Sequence, residues 1–238
     1  MSMMQRRKSL IMGVESVPVY EHGTWEDLFC HINKGDYATE YAVGEVLPLD
    51  LGTQGVVNAK IVGFDKDNLS TTGKAPVSFV SQYLLATTRR FNPALSPSEP
   101  PYDTGTGGIG GWGSSEVRTW LKTAVLPLFP SAIRTRIVEV KKTTKGFTTS
   151  GTVQNGQQSV DDIWMPSMKE MANSQDSGIY YGADVVGKVQ TLPNGTRKEW
   201  YQRSCVSTAN AYATNTNGYQ NGKAVTNSFN ILIGFCVG

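Results

Sequence analysis

The chain closes on Ile231-Leu232-Ile233-Gly234-Phe235-Cys236-Val237, an apolar run followed only by Gly238. A short run of this kind reads as a strand buried on both faces. Its backbone groups need partners formed earlier in the chain, so the fold is expected to close on its own C-terminus. Upstream, Ala209, Ala211 and Ala213 alternate with Asn210, Tyr212 and Thr214, which sets the alanines inward and the polar residues outward. Asn217-Gly218 and Asn221-Gly222 supply the positive φ angles of tight hairpins. Residues 200–238 are therefore expected to form a β-meander with a buried last strand.

The rest of the chain points to mixed structure. Its 238 residues suit one large domain or two small ones, and a chain of this size buries roughly 70% of its unfolded surface. With 25 glycines, turns and strands are favoured over long helices. Residues 1–23 read as an irregular arm carrying the basic cluster Arg6-Arg7-Lys8, and 24–238 as the globular domain. Thr24 is placed to cap a short helix whose apolar face is Trp25, Leu28, Phe29 and Ile32, with Gly35 ending it. Strand candidates follow at 41–51, 56–64 and 77–85, with a polar turn at Asp65-Lys66-Asp67-Asn68.

Prolines 93, 97, 100 and 101, then glycines 105 to 113, make 92–113 a long loop. A helix over 114–126 is expected next, with Val117, Trp120, Leu121, Ala124 and Val125 as its buried stripe and Pro127 as its end. A shorter helix around 130–135 runs into a strand at 137–142. Residues 143–159 read as a polar loop and 162–165 as a short strand. Ser167 and Glu170 have capping-box spacing.

Several function classes find no support in the residues. A net charge of +2 gives no basic face for nucleic acid. No stretch reaches the ~18 apolar residues of a membrane span. Gly105-Thr106-Gly107-Gly108-Ile109-Gly110 matches a dinucleotide fingerprint by letters, but a proline-rich loop stands where the strand is required. Asp65, Asp67 and Asn68 open like a calcium loop, which then fails at Leu69 and lacks a closing Glu.

His22 and His31 are the only histidines. Cys30 beside His31 has no second ligand pair, so no metal, cofactor or catalytic residue is assigned. Cys30, Cys205 and Cys236 read as small buried hydrophobes, and a Cys205–Cys236 bridge requires their strands to be neighbours. The composition that stands out is Asn210, Tyr212, Asn217, Tyr219 and Asn221. Tyr and Asn together are typical of adaptable binding surfaces.

Three segments resemble a domain family of unknown function found in phage and prophage structural proteins. The first is Trp112-Gly113-Ser114-Ser115-Glu116-Val117-Arg118-Thr119-Trp120-Leu121. The second is Asp162-Ile163-Trp164-Met165-Pro166-Ser167. The third is Trp200-Tyr201-Gln202-Arg203-Ser204 with the closing Gly234-Phe235-Cys236-Val237. Gln202 and Cys205 depart from the Leu and Pro usual in the family, which bears on the local turn.

The resemblance covers about 35–238 and implies an α+β, C-type-lectin-like fold of mostly antiparallel sheet with short helices and long loops. It also implies a virion protein without catalytic residues: a tail-tip or fibre module binding a host glycan or protein, or else a purely structural virion part. The arm would hold other virion proteins, and since single contacts of an exposed Tyr and Asn surface are weak, display in several copies, as in a homotrimer, is expected to supply avidity. Trp120, Arg118, Trp200 and Arg203 are expected to be structural. Arg203 should be buried and bonded to backbone carbonyls or a carboxylate.

Overall fold

The computed structural model describes residues 21–92, 111–147, 153–172, 179–182, 186–207 and 209–238. The expected arm and the glycine-rich loop lie almost wholly outside these residues, as does the dinucleotide-like stretch 105–110.

Helix α1, Trp25–Lys34, is built as its sequence predicts. Thr24 Oγ1 accepts from Asp27 N at 3.2 Å, and Gly35 ends the helix at φ 80°. Trp25, Leu28 and Phe29 are buried. The next segment differs from the strand expected over 41–51. A short helix α2, Tyr37–Glu40, is followed by a strand β1 of only Val46–Leu47. Pro48 has no N–H to continue the ladder. Strands β2, Ala59–Phe64, β3, Val77–Ser81, and β4, Arg89–Arg90, complete the first part.

The helix expected over 114–126 is wound in three ways. It runs as α3, Glu116–Trp120, then a π turn, Leu121–Val125, then a 3₁₀ turn, Leu126–Leu128. Val117, Leu121 and Val125 are buried, whereas Trp120 is half-buried and Ala124 exposed. Residues four apart drift by about 40° per step in an α-helix, and the wider i→i+5 turn reduces that drift along Val117, Leu121 and Val125.

Helix α4, Ser131–Arg134, leads to β5, Val140–Phe147, and β6, Val153–Asp161. This corrects the polar loop expected at 143–159: β5 and β6 pair antiparallel, Val140 opposite Asp161. The strand was masked by polarity, because Lys142 and Thr144 sit at inward positions and are both buried. Then come β7, Ile163–Trp164, α5, Met168–Ala172, and the small pair β8, Gln190–Thr191, and β9, Arg197–Lys198. The last part holds β10, Trp200–Ser207, β11, Asn210–Thr214, β12, Gln220–Ala224, β13, Ser228–Ile231, and β14, Gly234–Val237.

Two five-stranded sheets carry the architecture, in the orders β1-β2-β3-β14-β7 and β12-β11-β10-β13-β4. Among the described residues pairing is antiparallel except where β13 runs parallel to β10. The fold is α+β, mostly antiparallel sheet with few short helices. The apolar C-terminal run does close it: β14 lies between β3 and β7, with Gly234 to Val237 all buried. Phe235 stacks on Phe79 at 5.2 Å and meets the Phe129 ring edge-on at 5.0 Å.

The C-terminal region is not a simple meander, however. The run 231–237 leaves one sheet at β13 and enters the other at β14. Asn221-Gly222 is no turn either; it lies inside β12, where a Cβ on Gly222 would meet Val206 at 3.2 Å. The second turn is at 225–227, closed by Asn227 N to Ala224 O. Thr214, expected outward, is buried and accepts from Gln202 Nε2. Its face of the sheet is covered at this end, beside the buried Trp200. Cys205 and Cys236 lie on strands of different sheets and are not bridged to each other.

Candidate functional site

The largest departure from the sequence reading is a cluster of buried charges. Ser167 and Glu170 form the expected capping box: Ser167 Oγ accepts from Glu170 N, and Glu170 Oε2 accepts from Ser167 N at 2.9 Å. Glu170 also receives Arg203 from β10, Nη1 on Oε2 at 2.5 Å and Nη2 on Oε1 at 3.0 Å. Arg203 further donates to Thr144 Oγ1 and to the Met165 carbonyl, both at 2.8 Å.

Lys142, from β5, directs Nζ at Asp67 Oδ1 (2.5 Å), Glu170 Oε1 (3.1 Å) and Tyr181 Oη (2.9 Å). Its ammonium also lies 3.5 Å from the centre of the Trp164 ring. Asp67, expected in an exposed polar turn, is fully buried. Its Oδ2 accepts from Ser78 Oγ at 2.6 Å and Tyr181 Oη at 2.5 Å.

Two cations and two anions thus neutralise one another, with no more than 1% of any of these side chains exposed. Buried ions are tolerated only when paired and hydrogen-bonded in this way. Burial alone would raise the Asp67 carboxyl, but the Lys142 charge and the bonds it receives hold it below the usual carboxylate range. Burial, then the charges of Asp67 and Glu170, push the Tyr181 phenol well up. Burial, then Asp67, does the same to the Cys236 thiol, which stays protonated. An external substrate has no approach to groups sealed to this degree, so the cluster serves the interior.

Sequence reading found Arg203 and Glu170 but missed Lys142, Asp67 and Tyr181. The available signal was the spacing Val140, Lys142, Thr144, which sets a lysine on the inward face of a strand.

The other signature residues make bonds and ring contacts of their own within the fold. Trp112 Nε1 donates to Asp161 Oδ2 at 3.0 Å, and Arg118 Nε reaches Asp161 Oδ1 at 2.5 Å. Arg118 also donates to the carbonyls of Gly113 and Val160. Ser115 Oγ caps α3 by accepting from Arg118 N. Ser204 Oγ accepts from Met168 N at 2.8 Å, and Trp200 Nε1 donates to the Lys188 carbonyl at 3.2 Å. Trp120 lies under the Arg89 guanidinium at 4.8 Å.

A cleft of about 110 Å³ runs along Arg118, Lys122 and residues 160–163. Sites for small molecules are usually ~300 Å³ or more, and both cations are already paired, Lys122 with Asp162 at 3.2 Å. Among the described residues no group of three or more His, Cys, Asp or Glu is arranged to hold a metal, and no helix is long and apolar enough to cross a membrane.

The surface candidates fall into separate places. Asn217 and Tyr219 share the tip of the β11–β12 hairpin, where Gly218 adopts φ 84°. Asn215 Oδ1 braces the tip, accepting from the backbone N–H groups of Asn217 and Tyr219, both at 3.0 Å. Tyr219 is 69% exposed. Asn210 and Tyr212 lie half-buried on one face of β11, with Tyr212 opposite Gly222. Asn221 is opposite Ala213 and so belongs to the other face, although it is exposed at the edge of the sheet. Side chains opposite one another share a face, so the five residues do not form one patch. The tip pair Asn217 and Tyr219 is the part that is both exposed and held in place.

No curated protein matches the chain, and no solved structure does. The family model described as a domain of unknown function, DUF6273, matches residues 81–237. That span takes in Trp112, Arg118, Trp164, Glu170, Arg203 and all of β10 to β14, and on this match the chain belongs to the DUF6273 family.

Proposed function

We propose that this chain is a phage virion protein with a C-type-lectin-like fold, whose β11–β12 hairpin binds a ligand on the host surface. The observation that carries the binding reading is the hairpin tip. Tyr219 is the most exposed large hydrophobic side chain among the described residues, at 69%, on a turn fixed by Asn215. An exposed tyrosine on a braced turn loses little rotamer freedom on binding, and Asn217 beside it both donates and accepts hydrogen bonds. A glycan or a protein loop presents matching hydroxyls and amides. The virion assignment follows from the resemblance of the signature segments. Single contacts of this kind are weak, so display in several copies, as in a homotrimer, supplies the grip.

The alternative is a purely structural virion part, such as a head fibre, capsid decoration or neck protein. It is favoured by the placement of the signature residues, most of which are buried within the fold rather than on a shared surface. The deciding experiment is adsorption to host cells of virions carrying Tyr219→Ala, alone and with Tyr212→Ala. Folding is checked by circular dichroism of the purified proteins. Reduced adsorption with native folding is expected. Normal adsorption leaves the structural part as the function.

A further inference from the structure

The charged cluster contains an amine, a carboxyl acceptor and a second carboxylate within bonding reach of one another. Lys142 Nζ is 2.5 Å from Asp67 Oδ1 and 3.1 Å from Glu170 Oε1. Ser78 Oγ and Tyr181 Oη both donate to the other Asp67 oxygen, Oδ2. The Trp164 ring covers the amine. We propose that Lys142 and Asp67 condense into an intramolecular amide, with Glu170 carrying the proton, and that the ion pair described above is the unreacted form.

The step needs no outside reagent. A proton passes from Lys142 Nζ to Asp67 Oδ1 across their short contact, leaving a neutral amine and a carboxylic acid. The nitrogen lone pair attacks Asp67 Cγ, the C–N bond forms, and Oδ2 takes the negative charge. The two hydroxyl donors on Oδ2 stabilise that charge as an oxyanion hole does. Glu170 Oε1 takes the second proton from the nitrogen and delivers it to Oδ1. The Cγ–Oδ1 bond then breaks and Oδ1 leaves as water. Ammonium plus carboxylate has become amide plus water, with atoms and charge balanced.

Two features of the site favour the reaction. The reacting atoms are held together by the fold, and well-oriented intramolecular pairs reach effective concentrations on the order of 10⁵ M or more. The product also replaces two buried charges by a neutral amide, which removes their desolvation cost. Arg203 holds Glu170 in place through its two bonds to the carboxylate. The partners are 75 residues apart in sequence, so only the folded chain brings them together. Asp67 precedes the family match at 81–237, and the amide would tie that earlier segment to the family domain.

Intact mass of the purified full-length protein tests this. The mass is expected to be lower than the sequence requires by one water, and a protease digest should contain a branched peptide joining the Asp67 and Lys142 segments. Lys142→Arg, which keeps the charge but cannot form the amide, should have its full sequence mass. Glu170→Gln should react slowly or not at all. A wild-type protein of full sequence mass overturns the proposal without recourse to any variant. So does a water loss that persists in Lys142→Arg, or one without the branched peptide. A Glu170→Gln protein that loses water at the wild-type rate removes Glu170 from the step.

Discussion

Arg203 and Glu170 face each other fork to fork inside the protein, Nη1 on Oε2 at 2.5 Å and Nη2 on Oε1 at 3.0 Å, with 1% of either side chain exposed. The pair joins β10 to α5, and through Glu170 it reaches Lys142 on β5. Removing one member leaves a buried charge without its partner, which costs far more than the pair itself contributes.

Arg203→Met should therefore destabilise the fold by about 3–5 kcal/mol. Arg203→Lys keeps the charge but loses the planar fork and the bonds to Thr144 and Met165, so it too should unfold at lower urea concentration, by a smaller margin. Urea midpoints check both. An unchanged midpoint for Arg203→Lys would mean that the fork geometry contributes nothing.

Gly234 is required by the Trp164 ring. A Cβ at this position would stand 2.6 Å from Trp164 Nε1 and 2.7 Å from Cε2. Gly234→Ala must displace a buried tryptophan that also covers Lys142. Overpacking of this kind costs about 1–3 kcal/mol. Thermal unfolding should show the loss, and near-ultraviolet circular dichroism should show the moved ring.

The two tryptophans of the first signature segment should rank against their sequence expectation. Trp112 is fully buried and bonded to Asp161, whereas Trp120 is half-buried beneath Arg89. Trp112→Ala should cost about 3–5 kcal/mol. Trp120→Ala should cost less, on the scale of partial burial plus about 0.5–1 kcal/mol of cation–π contact. Denaturant midpoints of the two variants settle the order, and an equal loss would place Trp120 in the core.

Alkaline stability should depend on Tyr37. Burial, then the hydrogen bond to Asp65 and the charge of Asp65, raise its phenol from 10.0 to about 12. The folded state thus holds a proton that the unfolded state releases first. Its contribution is fully present below pH 10.0 and is lost as the pH rises to about 12. Tyr37→Phe should flatten melting temperature against pH in that window. A profile that keeps its slope would assign the alkaline loss to other groups.

Residues close in sequence carried their own structure into the fold. Thr24 and Gly35 mark the ends of α1, Ser167 and Glu170 form their box, and Asn217-Gly218 makes the hairpin tip, because each depends on bonds spanning at most five residues. The closing apolar run likewise announced a buried strand, since nothing in it tolerates water.

Tertiary structure decided the rest. That β14 lies between β3 and β7, that β13 runs parallel to β10, and that Asn221-Gly222 continues a strand all follow from pairings between distant segments. The same holds for the ion cluster. Asp67 and Lys142 look like solvent-facing residues of a turn and a polar strand, and each is buried only because the other, with Glu170 and Arg203, is buried opposite it. A charge in the interior depends on its counter-charge, and local sequence does not say which distant residue supplies it.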